Sequence, residues 1–252
     1  MIVAERDGVL VGYADRWREQ QRHRAWFDLG IPPGEAETAA TLLREIETRA
    51  APDVDPGALA MTWVKEVDST MRDTVEVAGY GLLRHSFRMR TELDGDAEPV
   101  EWPDGMRVTT YEAAHEAAVH TAHQEAFADH WEFVFEPLEE WRKWYVENPG
   151  FDPSLWFLAW DGDELAGISL CRVHSSGDAE HGFVSILAVR RPWRRKGLGL
   201  GLLRHSFAEM KRRGMKRASL GVDAENTTGA VRLYERAGMF VQRRYDLYRK
   251  EL

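Results

Sequence analysis

The stretch that decides the fold is LAVRRPWRRKGLGLG, residues 187–201. It passes from an apolar strand through a basic turn into a helix start spaced by glycines. The turn contains no acid, although the whole chain carries a formal net charge of −9. The N–H groups and dipole of a helix N-terminus favour an anion, and glycines let a ligand approach the backbone. We therefore expect an anionic, phosphate-bearing ligand at the basic residues Arg190, Arg191, Arg194, Arg195 and Lys196.

The sequence on both sides of this stretch predicts alternating strands and helices. Strands are expected at residues 106–111, 155–161, 164–174, 182–189, 217–222 and 239–250. Helices are expected at residues 113–128, 137–148, 227–237 and from 198 onward. This order predicts an α/β fold of the α+β kind, in which helices cover the faces of a mixed sheet.

The first half of the chain repeats the later part of this order. Its strands are expected at residues 2–5, 9–13, 25–31, 59–67 and 82–93, and its helices at 35–49 and 69–78. We predict two copies of one unit, residues 1–93 and 106–252, joined by a Gly-, Pro- and acid-rich linker at 94–105. The first copy is expected to be incomplete and degenerate. It lacks the opening strand and both early helices, and it has Glu35 and Glu37 in place of the basic cluster.

A second motif follows downstream, NTTGAVRLYERAGM at residues 226–239. Together with Arg194-x-x-Gly197-x-Gly199 after an apolar strand, it resembles the two acetyl-CoA-binding signatures of the GNAT superfamily of N-acetyltransferases. The resemblance covers roughly residues 106–252. The tandem layout is similar to that of mycothiol synthase and related actinobacterial two-domain acetyltransferases. The resemblance implies two GNAT-like acyl-CoA N-acyltransferase units, with acetyl-CoA as the acyl donor and no metal.

The resemblance also implies which positions contact acetyl-CoA. The pyrophosphate would lie on the loop, and the pantetheine would pair with the strand before it, where Leu187 and Val189 aim backbone groups at one sheet edge. Asn226 is equally well placed to cap the helix that follows it. The expected cofactor-binding residues are Leu187, Ala188, Val189, Arg194, Arg195, Lys196, Gly197, Leu198, Gly199, Leu200, Asn226, Ala230 and Tyr234.

The chemistry of N-acetyl transfer limits the choice of catalytic residues. An amine of pKa ~10 must lose a proton before it attacks a thioester, and the departing thiolate gains from a proton donor. A tyrosine at this helix position often donates that proton in the family, so Tyr234 is the candidate acid, with an ordinary core role as the alternative. Residues 183–189 contain no carboxylate, which leaves the base open. The candidates for the base are Glu180, Glu132 and Glu136, or a water relay through Ser185 or Tyr234.

The acceptor is expected to bind at residues 125–136, between the two early helices. This segment interleaves aromatic and acidic residues, which suits a cationic amine with an apolar part. The candidate substrate-binding residues are His130, Trp131, Glu132 and Glu136. His123 and His130 have the spacing of metal ligands on a helix, but no further His or Cys joins them, so structural or solvated histidines are expected.

Composition excludes several other classes of protein. The acidic net charge disfavours nucleic-acid binding, and no apolar run approaches the ~20 residues that span a bilayer. Cys171 is the one cysteine, and residues 1–7 lack the order of a signal peptide. We therefore expect a cytoplasmic monomer or homodimer whose partner is a small-molecule amine, with neither a nucleic acid nor a membrane as partner.

The leading expectation is an acetyl-CoA-dependent N-acetyltransferase. It would transfer the acetyl group to a primary amine of a small molecule or peptide by direct attack on the thioester. One alternative is a non-catalytic acyl-CoA-binding regulatory module, which would account for the missing strand carboxylate. Another is a binder of nucleic acid or another polyanion that uses residues 190–196, although the net charge disfavours it.

Overall fold

The computed structural model describes residues 1–19, 23–95, 100–131, 133–173, 178–226 and 228–252. The strands are β1 Ile2–Arg6, β2 Val9–Glu19, β3 Arg24–Gly30, β4 Leu59–Lys65, β5 Gly81–Glu92, β6 Met106–Thr110, β7 Trp156–Asp161, β8 Glu164–Val173, β9 His181–Val189, β10 Arg217–Asp223 and β11 Phe240–Glu251. The helices are α1 Ala36–Ala50, α2 Ser69–Val77, α3 Glu116–Phe127, α4 Leu138–Tyr145, α5 Leu198–Arg212 and α6 Ala230–Arg236.

Backbone contacts divide the chain into two units. The first unit comprises Met1–Phe87, Asp223–Glu225 and Arg243–Leu252, and the second comprises Arg88–Val222 and Asn226–Gln242. This division differs from the predicted boundaries in that Arg243–Leu252 group with the first unit. The reason is that β11 pairs antiparallel with β4, from Tyr245 opposite Lys65 to Glu251 opposite Leu59. Local composition does not encode such a pairing between distant segments.

The first unit is a mixed sheet with helices on one face. Strands β1, β2 and β3 pair antiparallel in chain order, and β3 pairs parallel with β4 across the connection that contains α1. Apolar residues of α1 recur at helical spacing, and Leu42, Leu43 and Ile46 are buried in one core with Phe27 and Val64 of the sheet. This amphipathic pattern holds α1 on the sheet.

The second unit repeats this pattern and adds a layer. Strands β6 to β9 pair antiparallel in chain order, and β9 pairs parallel with β10. Helices α3 and α4 share a core with Ile168 of β8 and Ile186 of β9. Gly167, adjacent to Ile168, faces α5, since a Cβ on this glycine would lie 3.1 Å from Leu202 Cδ1. Because successive strand residues point to opposite faces, α5 packs on the face away from α3.

The predicted mixed α/β fold and the predicted repeat of its elements are confirmed. The order β1-β2-β3-α1-β4-α2-β5 matches β7-β8-β9-α5-β10-α6-β11, and in both series two antiparallel pairs precede a parallel one. Most element ends differ by a few residues, but β2, predicted to end at residue 13, continues to Glu19. The helix predicted from residue 227 begins at Ala230, because Gly229 has a φ of +81° and lies outside the helix as its N-cap.

Candidate functional site

The segment of residues 190–197, here called the basic loop, joins β9 to α5. Arg195 and Gly197 have positive φ angles of 64° and 85°, and such left-handed residues turn neighbouring N–H groups toward one concave surface. No side chain of the described residues caps α5, and its first backbone bond runs from the Gly201 N–H to the Gly197 carbonyl at 3.0 Å. The N–H groups of the first turn therefore remain available to an anion.

Arg194, the first residue of the predicted signature, is held by protein acceptors. Its Nε donates to the Val189 carbonyl at 3.1 Å, and its Nη2 donates to the Ala126 carbonyl at 3.0 Å. Its Nη1 donates to Asp129 Oδ2 at 3.0 Å, and Arg191 pairs with the same carboxylate. Hydrogen bonds from these two guanidinium groups lower the pKa of Asp129 to about 2. Arg194 therefore braces the basic loop against the end of α3.

Arg190 is held in the same way, whereas two other basic residues are not. Arg190 Nε donates to Glu125 Oε2 at 2.6 Å, and its guanidinium lies 5.1 Å from the ring centre of buried Trp193. Arg195 and Lys196 are exposed, and within the described ranges neither side chain has a hydrogen-bond or ion-pair partner. These two residues carry the charge that remains for an anion.

The sequence predicts Glu125 and Asp129 only as acids of the acceptor segment, and it does not predict that they pair with three of the five basic residues of the loop. They lie four positions apart, one within α3 and one just beyond its end. Residues four apart share a helix face, so the spacing itself was a signal. The sequence does not show that this helix face lies against the basic loop.

The two glycines of the signature have different local roles. A Cβ at Gly197 would meet no atom of the described residues within 4 Å, but the φ of +85° there strains any residue with a Cβ. A Cβ at Gly199 would lie 3.1 Å from Leu233 Cδ1 and 3.6 Å from Val189 Cγ2. Gly199 therefore permits close packing of α6 on the start of α5, a requirement that exists without any ligand.

The edge of β9 beside β10 is paired over a short length. Residues His181, Gly182 and Phe183 pair with Arg217, Ala218 and Ser219 of β10, whereas β9 continues to Val189. On the other edge, Leu170 opposes Ile186 and Cys171 opposes Val184, so Ser185 forms a bulge. Among the described residues, the β10-side edge after Phe183 has no paired strand residue. An extended ligand could add to it by backbone hydrogen bonds.

The predicted cofactor positions on β9 lie along this edge and end at the basic loop. Leu187 and Val189 are half-buried, and Ala188, which points to the opposite face, is 4% exposed. Leu198 and Gly199 are buried in the first turn of α5, and Leu200 is half-buried. The structure thus brings the residues predicted at 187–189 and 194–200 together.

Tyr234 lies on α6, next to the residue that packs on Gly199. It is 9% exposed, and within the described part of the chain its hydroxyl has no hydrogen-bond partner. Burial raises the pKa of Tyr234 to about 12. The phenol therefore keeps its proton near neutral pH, as a general acid must.

The other predicted residues of this motif lie just before α6 or at its first position. Asn226 Oδ1 accepts the backbone N–H of Thr228 at 2.8 Å, so it forms a local turn and does not cap the helix. Gly229 occupies the N-cap position, and Ala230 is the first helical residue, half-buried. The capping role considered for Asn226 is therefore wrong.

Glu180 and Ser185 are separated along β9 and have different surroundings. Glu180 precedes the strand, is half-exposed and pairs with Lys216 at 2.6 Å. A strand rises ~3.3 Å per residue, so Glu180 lies roughly 30 Å from the loop end of β9. Ser185, at the bulge, accepts a 3.1 Å hydrogen bond from Arg172 Nε. The structure does not bring Glu180 to the loop end of β9.

The predicted acceptor segment connects α3 to α4. His130 and Trp131 are exposed, and the His130 ring centre lies 4.2 Å from that of Phe127. The backbone of Glu136 is fixed by α3, because its N–H donates to Gln124 Oε1 at 2.9 Å and its carbonyl lies 2.7 Å from His120 Nε2. Glu132 lies outside the described residues.

His123 has a structural environment. Its Nδ1 accepts a 2.8 Å hydrogen bond from Trp141 Nε1, and both side chains are buried. Burial, reinforced by His120 and His130, lowers the pKa of His123 to about 4. His123 is therefore neutral near neutral pH and serves as an acceptor within the core.

The corresponding connection in the first unit, between β3 and α1, is occupied by an acid. Glu35 is the N-cap residue of α1, and its carboxylate receives two hydrogen bonds from Arg6, at 2.8 and 2.9 Å. Thr38 Oγ1 donates to the same carboxylate at 3.0 Å. A carboxylate thus stands at the helix start where the second unit offers open N–H groups and cations.

Among the described residues, every helix is too short or too polar to span a lipid bilayer. No group of three or more His, Cys, Asp or Glu residues among them is arranged to hold a metal ion.

Residues 111–239 match the sequence profile of the Acetyltransferase (GNAT) family. A mycothiol acetyltransferase from Geodermatophilus obscurus is 32% identical over 246 residues, which cover 94% of this chain and 78% of that protein. Further proteins of the same name match, and the chain covers between 46% and 80% of their lengths.

Two solved structures share the fold over nearly the whole chain. A GCN5-related N-acetyltransferase from Sphaerobacter thermophilus has a TM-score of 0.80 and 29% identity, covering 97% of this chain and 78% of that one. A tandem GNAT protein from the clavulanic acid biosynthesis pathway has a TM-score of 0.79 and 14% identity, covering 99% of this chain and 81% of that one.

Proposed function

The chain belongs to the GNAT family of acetyltransferases, and from that premise we propose that it has one working site, built from β9, the basic loop and α5. Acetyl-CoA is the acyl donor, and the acceptor is the primary amine of a small molecule. The observation that carries the proposal is the start of α5, which no side chain of the described residues caps. It lies beside Arg195 and Lys196, which have no partner among those residues, and it follows the part of the β9 edge that no described strand residue pairs.

The cofactor site follows from these elements. Pyrophosphate oxygens would accept the N–H groups of Gly197, Leu198, Gly199 and Leu200, with Arg195 and Lys196 beside them. Arg194 acts indirectly in this site. Its own donors are bonded to protein atoms, and it thereby holds the basic loop in place. The strand edge along which the pantetheine would lie is supplied by Leu187, Ala188 and Val189. Asn226 precedes α6, Ala230 begins it, and Tyr234 lies one turn further on.

Catalysis in this proposal uses a proton on Tyr234. Bound acetyl-CoA supplies the acetyl group as a thioester. The acceptor nitrogen forms a bond to the acetyl carbon, the carbon–sulfur bond breaks, and the Tyr234 hydroxyl gives its proton to the departing sulfur. The high pKa of Tyr234 keeps that proton in place until the sulfur becomes basic.

The proton of the acceptor amine leaves through water rather than directly to Glu180. Glu180 is paired with Lys216 at the far end of β9. Ser185 stands at the bulge in the middle of the strand, where its hydroxyl can pass a proton between an amine and a water molecule. Glu136 is the carboxylate of the acceptor segment to which such a relay could lead.

The acceptor is proposed to bind against the segment between α3 and α4, at His130, Trp131, Glu132 and Glu136. Acidic and aromatic side chains there suit the cationic form of an amine. Because the relatives are named mycothiol acetyltransferases, a mycothiol-related amine is one acceptor to test.

The first unit is proposed to be a degenerate copy that binds no acetyl-CoA. Glu35 stands at the start of α1, where it would repel a pyrophosphate. Its role in this account is structural.

The absence of a carboxylate in residues 183–189 favours one second candidate, a non-catalytic acyl-CoA-binding module. The transferase and the module are distinguished by measuring the free thiol released from acetyl-CoA in the presence of a panel of primary amines. Mass spectrometry of the amines detects an acetylated product. Amine-dependent thiol release with an acetylated product supports the transferase. Acetyl-CoA binding without amine-dependent release would favour the module instead.

A further inference from the structure

Four basic side chains of the second unit have no hydrogen-bond, ion-pair or ring partner among the described residues. They are Arg195 and Lys196 of the basic loop and Arg232 and Arg236 of α6. The other arginines and lysines of this unit each contact a protein group, as Arg217 does by pairing with a carboxylate. Half of the unpartnered positive charge of the unit therefore lies on α6, outside the basic loop.

The two arginines of α6 lie on one face of the helix. Arg232 and Arg236 are four positions apart, and both are exposed. Residues at this spacing are neighbours on a helix surface, with Cβ atoms ~5–6 Å apart. Exposed Glu235 belongs to the same helix, and within the described part of the chain it pairs with neither arginine. The two guanidinium groups are therefore open to an anion from solution.

The contact between α6 and α5 relates this arginine pair to the proposed cofactor site. Leu233 lies between the two arginines in sequence, and its Cδ1 would be 3.1 Å from a Cβ on Gly199. Successive residues of a helix are rotated by about 100°, so Arg232 and Arg236 lie on one side of Leu233 and buried Tyr234 on the other. The pair thus lies beside the start of α5, on the side of α6 away from the proposed proton donor.

The charges of acetyl-CoA match this set of four cations. Its pyrophosphate is a diester with two negative charges, which Arg195 and Lys196 can balance. The ribose that carries the pyrophosphate also carries a 3′-phosphate, a monoester with a charge of about −1.5 to −2 at pH 7. The planar guanidinium groups of arginine match phosphate oxygens in a two-pronged geometry. The full charge of the ligand is therefore balanced only when the arginine pair on α6 is included.

We propose that Arg232 and Arg236 bind the 3′-phosphate of the acyl donor, so that the protein distinguishes CoA thioesters from donors that lack this phosphate. This inference rests on the acetyl-CoA site of the proposed function. Tyr234 faces the thioester end of the donor, and the two arginines face its nucleotide end. One short helix thereby contributes to both ends of the donor site.

The test compares CoA with 3′-dephospho-CoA in calorimetric titrations, because the two ligands differ only in this phosphate. Wild-type protein should bind CoA about 10-fold more tightly. In the variant with both Arg232→Gln and Arg236→Gln, the preference should fall below about two-fold because CoA alone binds more weakly. An unchanged affinity for 3′-dephospho-CoA shows that the rest of the site is intact. Lysine at both positions keeps the charge but not the two-pronged geometry, and it should give an intermediate preference.

The control variant combines Arg107→Gln with Arg212→Gln, which removes the same net charge elsewhere in the second unit. Arg107 lies over the Trp160 ring. Arg212 ends α5, roughly 20 Å from the start of that helix. This variant should keep the full preference for CoA. A loss equal to that of the Arg232→Gln/Arg236→Gln variant would show a general effect of charge and would overturn the inference.

Acetyl transfer to a panel of primary amines, measured on the same proteins, distinguishes this inference from the proposed function. Equal affinities of the wild type for the two ligands, or a preference that survives in the Arg232→Gln/Arg236→Gln variant, would overturn the inference, and observed acetyl transfer would leave the function intact. A preference that this variant loses, without acetyl transfer to any amine, would support the phosphate site and contradict the transferase. Binding of neither ligand would overturn both.

Discussion

Asp129 Oδ2 accepts a 3.0 Å hydrogen bond from Nη1 of Arg194, which ties the end of the first helix of the second unit to the glycine-rich loop. The same carboxylate pairs with Arg191. An acid of the predicted acceptor segment and the arginine of the predicted cofactor signature are thus parts of one ion-pair network. The network predicts that a change at the acceptor side weakens the cofactor side.

Asp129→Asn should raise KM and Kd for acetyl-CoA several-fold, because the basic loop loses its brace while Arg195, Lys196 and the glycines remain. Exposed Glu164, whose side chain has no ion-pair or hydrogen-bond partner among the described residues, provides the control variant Glu164→Gln. Kinetics at saturating amine measure the change. Equal acetyl-CoA affinities of the two variants would remove Asp129 from this role.

The stabilising effect of this ion-pair network should be lost at low pH. Arg191 and Arg194 lower the pKa of Asp129 from its usual value to about 2, so its stabilising effect is present above pH ~4 and is lost as pH falls through 2. The unfolding midpoints of wild type and Asp129→Asn should therefore converge between pH ~4 and ~2. A constant difference over this interval would contradict the ion pairing.

The buried His123 should make the free energy of unfolding depend on pH between pH 7 and pH 5. Burial lowers its pKa to about 4, so from pH ~6.5 down to ~4 the unfolded chain binds a proton that the folded chain excludes. The free energy of unfolding should fall by about 2 kcal/mol between pH 7 and pH 5 from this group. His123→Gln, which keeps an acceptor for Trp141 Nε1, should lose that part of the pH dependence in urea unfolding. An unchanged pH dependence would contradict it.

Tyr234→Phe tests the proposed proton donor. The hydroxyl has no partner among the described residues, so the variant should be almost as stable as the wild type. Turnover should fall by ~10²-fold, the lower end of general acid catalysis, because a thiolate is a good leaving group. KM for acetyl-CoA should stay within about two-fold.

Tyr111→Phe is the control, since Tyr111 is a buried tyrosine of the same unit that packs edge-on against Trp156. It should keep the wild-type kcat. If Tyr234→Phe also keeps the wild-type kcat on the true acceptor, the tyrosine is a packing residue only.

Gly199→Ala should destabilise the second unit by about 1 kcal/mol, because the new methyl group would lie 3.1 Å from Leu233 Cδ1. If that contact is the cause, the change should be smaller when Leu233→Ala is already present. A double-mutant cycle in denaturant unfolding measures this coupling. Additive effects of the two substitutions would show that Gly199 acts elsewhere, for example only toward a ligand.

The segment at residues 187–201 allowed the strand, loop and helix start to be predicted from sequence, because apolar periodicity and glycine spacing are local properties. The repeat was also predictable, since hairpin and helix signals recur in both halves. The partners of the arginines were not, because Glu125 and Asp129 are more than 60 positions from the basic loop along the chain.

The roles predicted for Asn226 and Glu180 also depend on structural features that the sequence does not show. The capping role considered for Asn226 was wrong because Gly229, three residues later, adopts a left-handed conformation and ends the turn. Glu180 was a reasonable base in sequence, just before the strand, but the length of β9 separates it from the basic loop.

The central claim is that one acetyl-CoA site per chain is built on the basic loop, and calorimetric titration with acetyl-CoA tests it most directly. We predict one site per chain, with an affinity about 10- to 100-fold weaker when Arg195 and Lys196 are both changed to Glu. Arg44→Glu, an exposed charge reversal on α1, should leave the titration unchanged. Two equivalent sites, or a single site unaffected by the double charge reversal, would contradict the account.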